Sequence, residues 1–69
     1  MIRPGQHYRR TERSHRGRRV IDRVREIEVL DVEKKQIGAH AKVFDLTTQR
    51  ASYIYAWKIE AEWTLVQNG

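Results

Sequence analysis

Nine consecutive residues near the N-terminus, 11–19 (TERSHRGRR), contain no aliphatic side chain and no Phe, Tyr or Trp. Such a segment has nothing to bury in a core, and repulsion among its four arginines opposes compaction. We therefore expect a mobile loop or arm there. The chain is divided accordingly into a basic N-terminal arm or loop, residues 1–19, and a small β-rich domain, residues 20–69. The sequence leaves open whether a short first strand, carrying Tyr8 after a Pro-Gly turn, forms near residues 6–10.

The surplus of positive charge lies in the same N-terminal segment. Residues 1–19 hold seven arginines and one carboxylate, a net charge of +6, whereas residues 20–69 hold seven Lys or Arg and eight Asp or Glu, a net charge of −1. A cationic surplus concentrated on one part of a small chain indicates a polyanionic partner.

The chain has 69 residues and no cysteine, so neither a disulfide nor a thiolate metal site supports the fold. A domain of this size buries only about 60% of the surface that its unfolded chain exposes, which makes it marginally stable. No apolar run approaches the roughly 18 residues that span a bilayer, and no secretory signal pattern is visible. We expect an intracellular, cytoplasmic protein that depends on one small apolar core.

The stretch VIDRVREIEVLDVEKK, residues 20–35, is compatible with a helix or a strand. Its first apolar residues follow helical spacing, and a helix near residues 20–33 would make the fold α+β. Its six Ile or Val residues favour a strand instead. The change of phase between Val29 and Leu30 is typical of a strand with a bulge or sharp bend.

The remaining segments alternate between strand and turn patterns. AKVFDL predicts a strand, TTQR a turn, and ASYIYAW a strand that is apolar on both faces and therefore central. KIEAEW is compatible with one helical or 3₁₀ turn, and WTLV with a short closing strand. The predicted core includes four large side chains: Phe44, Ile54, Trp57 and Trp63.

These elements predict an all-β fold of four to five short strands with one helical turn and a flexible basic N-terminal segment. Their order, from RPGQHYRR through REIEVLDV, AKVFDLTTQR and ASYIYAW to WTLV, resembles the small SH3-like (KOW-like) barrel proteins of phages and bacteria. The resemblance implies a binding module on a small barrel. The chain departs from this pattern at Gln49, where a glycine is expected in the turn.

Catalytic and metal-binding patterns are absent from the sequence. His7, His15 and His40 are far apart along the chain, and no serine or cysteine beside them forms a nucleophile arrangement. There is no Cys and no His-x-x-x-His pair for a metal, and the glycines stand singly rather than in a phosphate-binding loop. We expect a protein that is not an enzyme and needs no cofactor or metal.

A non-catalytic nucleic-acid-binding module is the function that these features favour, for DNA or RNA. Arginine suits phosphate because its planar fork of donors stays charged, and alternate tyrosines on a strand can stack unpaired bases. The predicted binding residues are Arg9, Arg10, Arg13, Arg16, Arg18, Arg19, Tyr53 and Tyr55. The alternative is a small phage-type regulator that docks on a host protein such as RNA polymerase, through the basic arm or through an acidic strand face formed by Glu26, Glu28 and Asp31.

Overall fold

The computed structural model describes residues 1–69 as five antiparallel strands in one open sheet, with one short helix. The elements are β1 (Gln6–Arg16), β2 (Arg19–Lys35), β3 (Gly38–Asp45), β4 (Arg50–Tyr55), α1 (Ala56–Glu62) and β5 (Thr64–Asn68). The strand order is β4-β3-β2-β1-β5, so β4 and β5 form the two edges. The predicted β-rich fold with a single helical element is confirmed. Because β4 and β5 do not pair, closure of the sheet into a barrel is not observed.

Strand β2 is the longest element and resolves the ambiguity over residues 20–35. It pairs with β1 from Arg19 to Glu28 and with β3 from Ile27 to Lys35, so it is a strand along its whole length. The alternative of a helix near residues 20–33 is therefore wrong. The register with β3 shifts between Val29 and Asp31, which is the bulge that the change of phase predicted.

The core lies on one face of the sheet, which we call the inner face. Alternate residues of the three central strands point to this side, and the helix covers it with Ile59, which is fully buried. Trp63, which follows the helix, is 8% exposed and belongs to the same cluster. The buried apolar residues are Ile2, Tyr8, Ile27, Val29, Ala41, Val43, Ile59 and Trp63.

Two of the four predicted core side chains are placed differently in the structure. Trp57 is 61% exposed, and Phe44 is half-buried, whereas Trp63 is buried and Ile54 packs partly buried against the core. The prediction for Trp57 is wrong because strand alternation ends at Tyr55, where the helix begins, and a helix turns its second residue away from Ile59. The segment ASYIYAW is also an edge strand and not a central one.

The turn between β3 and β4 forms without the glycine that the resemblance calls for. Gln49 itself takes the left-handed conformation, with φ of 57°, and its N–H donates to the carbonyl oxygen of Asp45 at 2.7 Å. The Asp45 carboxylate accepts the N–H groups of Thr47 and Thr48 at 2.8 and 3.1 Å. Hydrogen bonds from the backbone to the Asp45 side chain thus stabilise a turn in which the backbone of Gln49 is strained.

Candidate functional site

Residues 10–25 form a two-stranded ribbon that we call the hairpin arm. The edge strand β5 pairs with Gln6–Arg9 of β1, and β3 pairs with β2 from Ile27 onward, so beyond these points β1 and β2 pair only with each other. Seven residues on each strand, at about 3.3 Å per residue, give an arm roughly 20 Å long. The molecule accordingly measures 43 Å in one direction and 25 and 20 Å in the others.

Residues 11–19, where the sequence predicts a mobile loop or arm, form regular β structure apart from the turn at residues 17–18. Residues 11–16 continue β1, and the ribbon turns at Gly17 and Arg18. Gly17 has φ of 61°, while Arg18 does not have a positive φ, which is the pattern of a type II′ hairpin turn. The first strand near residues 6–10, which the sequence left open, is present in the structure as the start of β1. It continues to Arg16 because pairing with β2, and not burial, holds this part of the chain extended.

At the base of the arm, two arginines lie directly opposite each other. Arg10 and Arg25 are cross-strand partners, and each guanidinium carbon lies 5.7 Å from the centre of the Trp63 ring. Like charges in this position repel, but Arg25 donates to Glu12 at 2.8 Å and Arg10 donates to Glu62 at 3.3 Å. Ion pairs and cation–π contacts therefore anchor the arm to the body of the domain.

A buried carboxylate completes this anchor. Asp45, whose side chain is 5% exposed, accepts two hydrogen bonds from Arg25, at 2.6 and 3.2 Å. Burial alone would raise the pKa of Asp45, but the hydrogen bonds from Arg25 and from the N–H groups of Thr48 and Thr47 outweigh it and lower that pKa overall. The charged form of Asp45 thus links the arm to the β3–β4 turn.

The lowered pKa of Asp45 predicts a loss of stability in acid. A carboxyl group whose pKa is lower in the folded state stabilises the fold above its unfolded pKa, about 3.9 for aspartate, and this contribution disappears as the pH falls through the folded value. Thermal unfolding of the wild type from pH 5 down to pH 2 should therefore show a falling midpoint. Asp45→Asn should unfold at a lower temperature at pH 7 and lose less between pH 5 and pH 2. An equally steep acid loss in this variant would contradict the assignment to Asp45.

On the outer face, opposite the core side, the arginines are paired with carboxylates. Arg13 donates to Asp22, its direct cross-strand neighbour, at 3.0 Å. Arg9 donates to Glu26 at 3.1 Å, and His7 approaches the same carboxylate at 3.2 Å. Both contacts lower the pKa of the Glu26 carboxyl group, and the hydrogen bond with His7 has a larger effect than the one with Arg9. The carboxylate in such a pair neutralises much of the arginine charge, so a paired arginine attracts another anion less strongly than an unpaired one does.

The other arginines of the arm have no carboxylate within ion-pair distance. Arg16, Arg19 and Arg23 follow the alternation of the inner face, and Arg18 lies in the turn. All four side chains are exposed. The four unpaired arginines are Arg16, Arg18, Arg19 and Arg23, and we use this term for them below. The arm as a whole has seven arginines and two carboxylates, a net charge of +5, which equals the net charge of the chain.

The structure thus separates the predicted arginines into two groups. Arg16, Arg18 and Arg19 form no ion pair, whereas three others are paired: Arg9, Arg10 and Arg13. Arg23 was missed because it lies outside the segment 1–19, and the hairpin brings it onto the face of Arg16. Gly17 is the signal from which this register could have been predicted, because glycine at the first position of a two-residue loop is typical of a type II′ hairpin turn.

The two predicted tyrosines lie on β4, away from the unpaired arginines. Tyr53 is 63% exposed, while Tyr55 packs edge-to-face on His40, with ring centres 4.3 Å apart, and stacks on Trp57 at 6.2 Å. Tyr53 and Tyr55 line a groove at the base of the arm together with Arg10, Arg25, Lys58 and Trp63. The structure therefore brings the tyrosines next to paired arginines.

The three histidines lie in separate parts of the molecule: His7 beside Glu26, His15 on the arm, and His40 against Tyr55. No group of three or more His, Asp or Glu side chains is arranged to hold a metal ion. The single helix is too short to cross a bilayer.

Comparison with known proteins does not add to this picture. No protein-family model matches the chain, and neither curated proteins nor solved structures give a significant match. The fold and the site define a small antiparallel β-sheet protein with an arginine-rich hairpin arm. The resemblance to SH3-like barrels stays a prediction.

Proposed function

We propose that this protein is a non-catalytic nucleic-acid-binding module that contacts phosphates with its hairpin arm. The observation that carries the proposal is the set of four unpaired arginines, which stand on a projecting ribbon while nearly all other arm cations are bound to carboxylates. A guanidinium group binds phosphate through parallel N–H donors and keeps its charge at any physiological pH. The arm presents several such groups to a single polyanion.

The arrangement of the arm supports binding as a rigid element. Its strands continue from the sheet, and its base is fixed by the contacts of Arg10 and Arg25 with Trp63. The side chains of Ser14, Arg16, Ile21 and Arg23 contribute to one open depression along the ribbon. An ordered surface loses less conformational entropy on binding than a flexible tail does, so more of the electrostatic attraction contributes to affinity.

The salt dependence of oligonucleotide binding tests the proposal. If four phosphates are neutralised, the logarithm of the affinity should fall with a slope of about −3.6 against the logarithm of the salt concentration, or roughly a hundredfold between 50 and 200 mM. Fluorescence anisotropy with labelled 20-nucleotide DNA, single-stranded and duplex, measures this. No binding at 50 mM salt, or an affinity that salt does not change, would exclude the proposed function.

A second candidate is a regulator that docks on another protein. It is favoured by two aromatic side chains that are more than 60% exposed: Tyr53 on the edge strand β4 and Trp57 on the first turn of α1. Aromatic side chains are enriched in protein interfaces. A protein-directed regulator would show little or no affinity for generic oligonucleotides in the same salt series, which separates the two candidates.

A further inference from the structure

The hairpin arm has the dimensions of an element that enters a groove of a nucleic-acid duplex. Both of its edges are free, since neither β3 nor β5 extends along residues 10–25. Two paired strands lie about 4.8 Å apart, and side chains widen the ribbon on both sides. The major groove of B-form DNA is about 12 Å wide and admits a two-stranded ribbon without deformation, whereas the minor groove, about 6 Å wide, takes one only where the DNA is bent or the groove is widened.

The two faces of the arm differ in charge. On the inner face, Arg16, Arg19 and Arg23 form no ion pair. Glu12 is the cross-strand neighbour of Arg23, but its carboxylate is bound to Arg25. On the outer face, the Arg13–Asp22 pair is neutral, and two apolar side chains are more than half exposed: Val20 and Val24. The inner face of the ribbon therefore attracts an anionic surface, and the outer face does not.

The inner face also carries groups that suit base edges. Arginine is the side chain that most often binds the O6 and N7 atoms of guanine in the major groove. Ser14 and Ile21, cross-strand partners between the arginines, add a hydroxyl group and an apolar group of the kind that contacts the thymine methyl.

The arm itself lacks the features of a single-strand binder. No Phe, Tyr or Trp occurs between residues 9 and 26, so no aromatic ring stands beside the unpaired arginines to stack an unpaired base. Tyr53 and Tyr55 line the groove at the arm base, where Arg10 and Arg25 are already bound to carboxylates. Double-stranded RNA fits less well, because its A-form major groove is deep and narrow.

We infer that the ligand is double-stranded DNA, with the inner face of the hairpin arm inserted in the major groove. This inference rests on the proposed function and narrows it to one ligand class and one binding mode. Arg16, Arg19 and Arg23 contact base edges and flanking phosphates, and Arg18 in the turn contacts the backbone beyond them. The outer face remains in solvent.

A competition series tests the binding mode. The protein is titrated at 50 mM salt with a 20-base-pair DNA duplex, with each of its single strands, and with the RNA duplex of the same sequence. The DNA duplex should bind tightest. Methylation of guanine N7, which blocks one acceptor in the major groove, should weaken it roughly tenfold, the loss of one base contact. A minor-groove-binding dye should leave the affinity unchanged.

Matched variants of the two faces complete the test. Arg16→Gln, Arg19→Gln and Arg23→Gln together should remove the preference for the DNA duplex, whereas Val20→Thr with Val24→Thr should preserve it. Circular dichroism confirms that each variant is folded. Equal affinity for single strands, displacement by the minor-groove dye, or an equal loss in the valine variant would overturn this inference while leaving nucleic-acid binding intact. Absence of binding to every oligonucleotide would instead remove the proposed function itself.

Discussion

Replacement of the four unpaired arginines with glutamine is expected to weaken oligonucleotide binding roughly a hundredfold at 50 mM salt and to bring its salt slope close to zero. The side chains of Arg16, Arg18, Arg19 and Arg23 are exposed and make no ion pair, so the substitutions remove phosphate donors without removing an internal contact. The thermal midpoint should change little, because surface substitutions of this kind usually alter stability by less than about 0.5 kcal/mol.

A charge-matched variant separates the arm from net charge alone. It carries four substitutions to glutamine at exposed cations of the body, which have no carboxylate within ion-pair distance: Lys34, Lys42, Arg50 and Lys58. Its net charge equals that of the arm variant, so anisotropy titrations of the two can be compared directly. If both variants lose affinity equally, the arm is not the binding site, and a large loss of stability in the arm variant would show that its arginines are structural.

Replacement of Trp63 with alanine is expected to destabilise the domain by about 3 to 5 kcal/mol, the usual cost of removing a buried tryptophan. Trp63 is 8% exposed, and its ring lies under both Arg10 and Arg25. A domain of this size has a free energy of unfolding of roughly 5 kcal/mol, so the variant should be largely unfolded at 37 °C. Urea denaturation followed by circular dichroism measures the loss.

The second tryptophan provides the control for this substitution. Trp57 lies on α1, one element before Trp63, and is 61% exposed. Trp57→Ala should change the free energy of unfolding by less than about 1 kcal/mol. The two variants remove the same chemical group from positions six residues apart. Comparable destabilisation by both would contradict the burial pattern and restore the prediction that Trp57 belongs to the core.

The body of the fold was largely predictable from local patterns. The bulge after Val29 followed from a change of phase in apolar alternation, and the closing helix and strand followed from short polar and apolar runs. Burial of Trp63 was predictable because few large apolar groups are available to a small core. Trp57 was misplaced because alternation alone does not reveal where a strand ends and a helix begins.

The arm was less predictable because apolar burial does not stabilise it. Its strands are held by backbone pairing, by a turn at Gly17, and by cross-strand ion pairs such as Arg13–Asp22. None of these contacts can be predicted from the spacing of hydrophobic residues along the chain. Arg23 and Arg16 lie on the same face only because of the hairpin register. Counting charges along the chain placed them in different segments, 1–19 and 20–69.

Under the proposed function, the continuity of β1 and β2 from the body into the arm would also couple ligand binding to folding. An arm on a flexible linker would hold the same anion whether or not the domain was folded, and the ligand would leave the folding equilibrium unchanged. Here the arginines are aligned only while the strands are paired. A nucleic acid that binds only the folded arm would therefore add roughly 2.7 kcal/mol to the stability of the whole domain at about one hundred times its dissociation constant. For a protein this small, the proposed ligand would act as part of the fold.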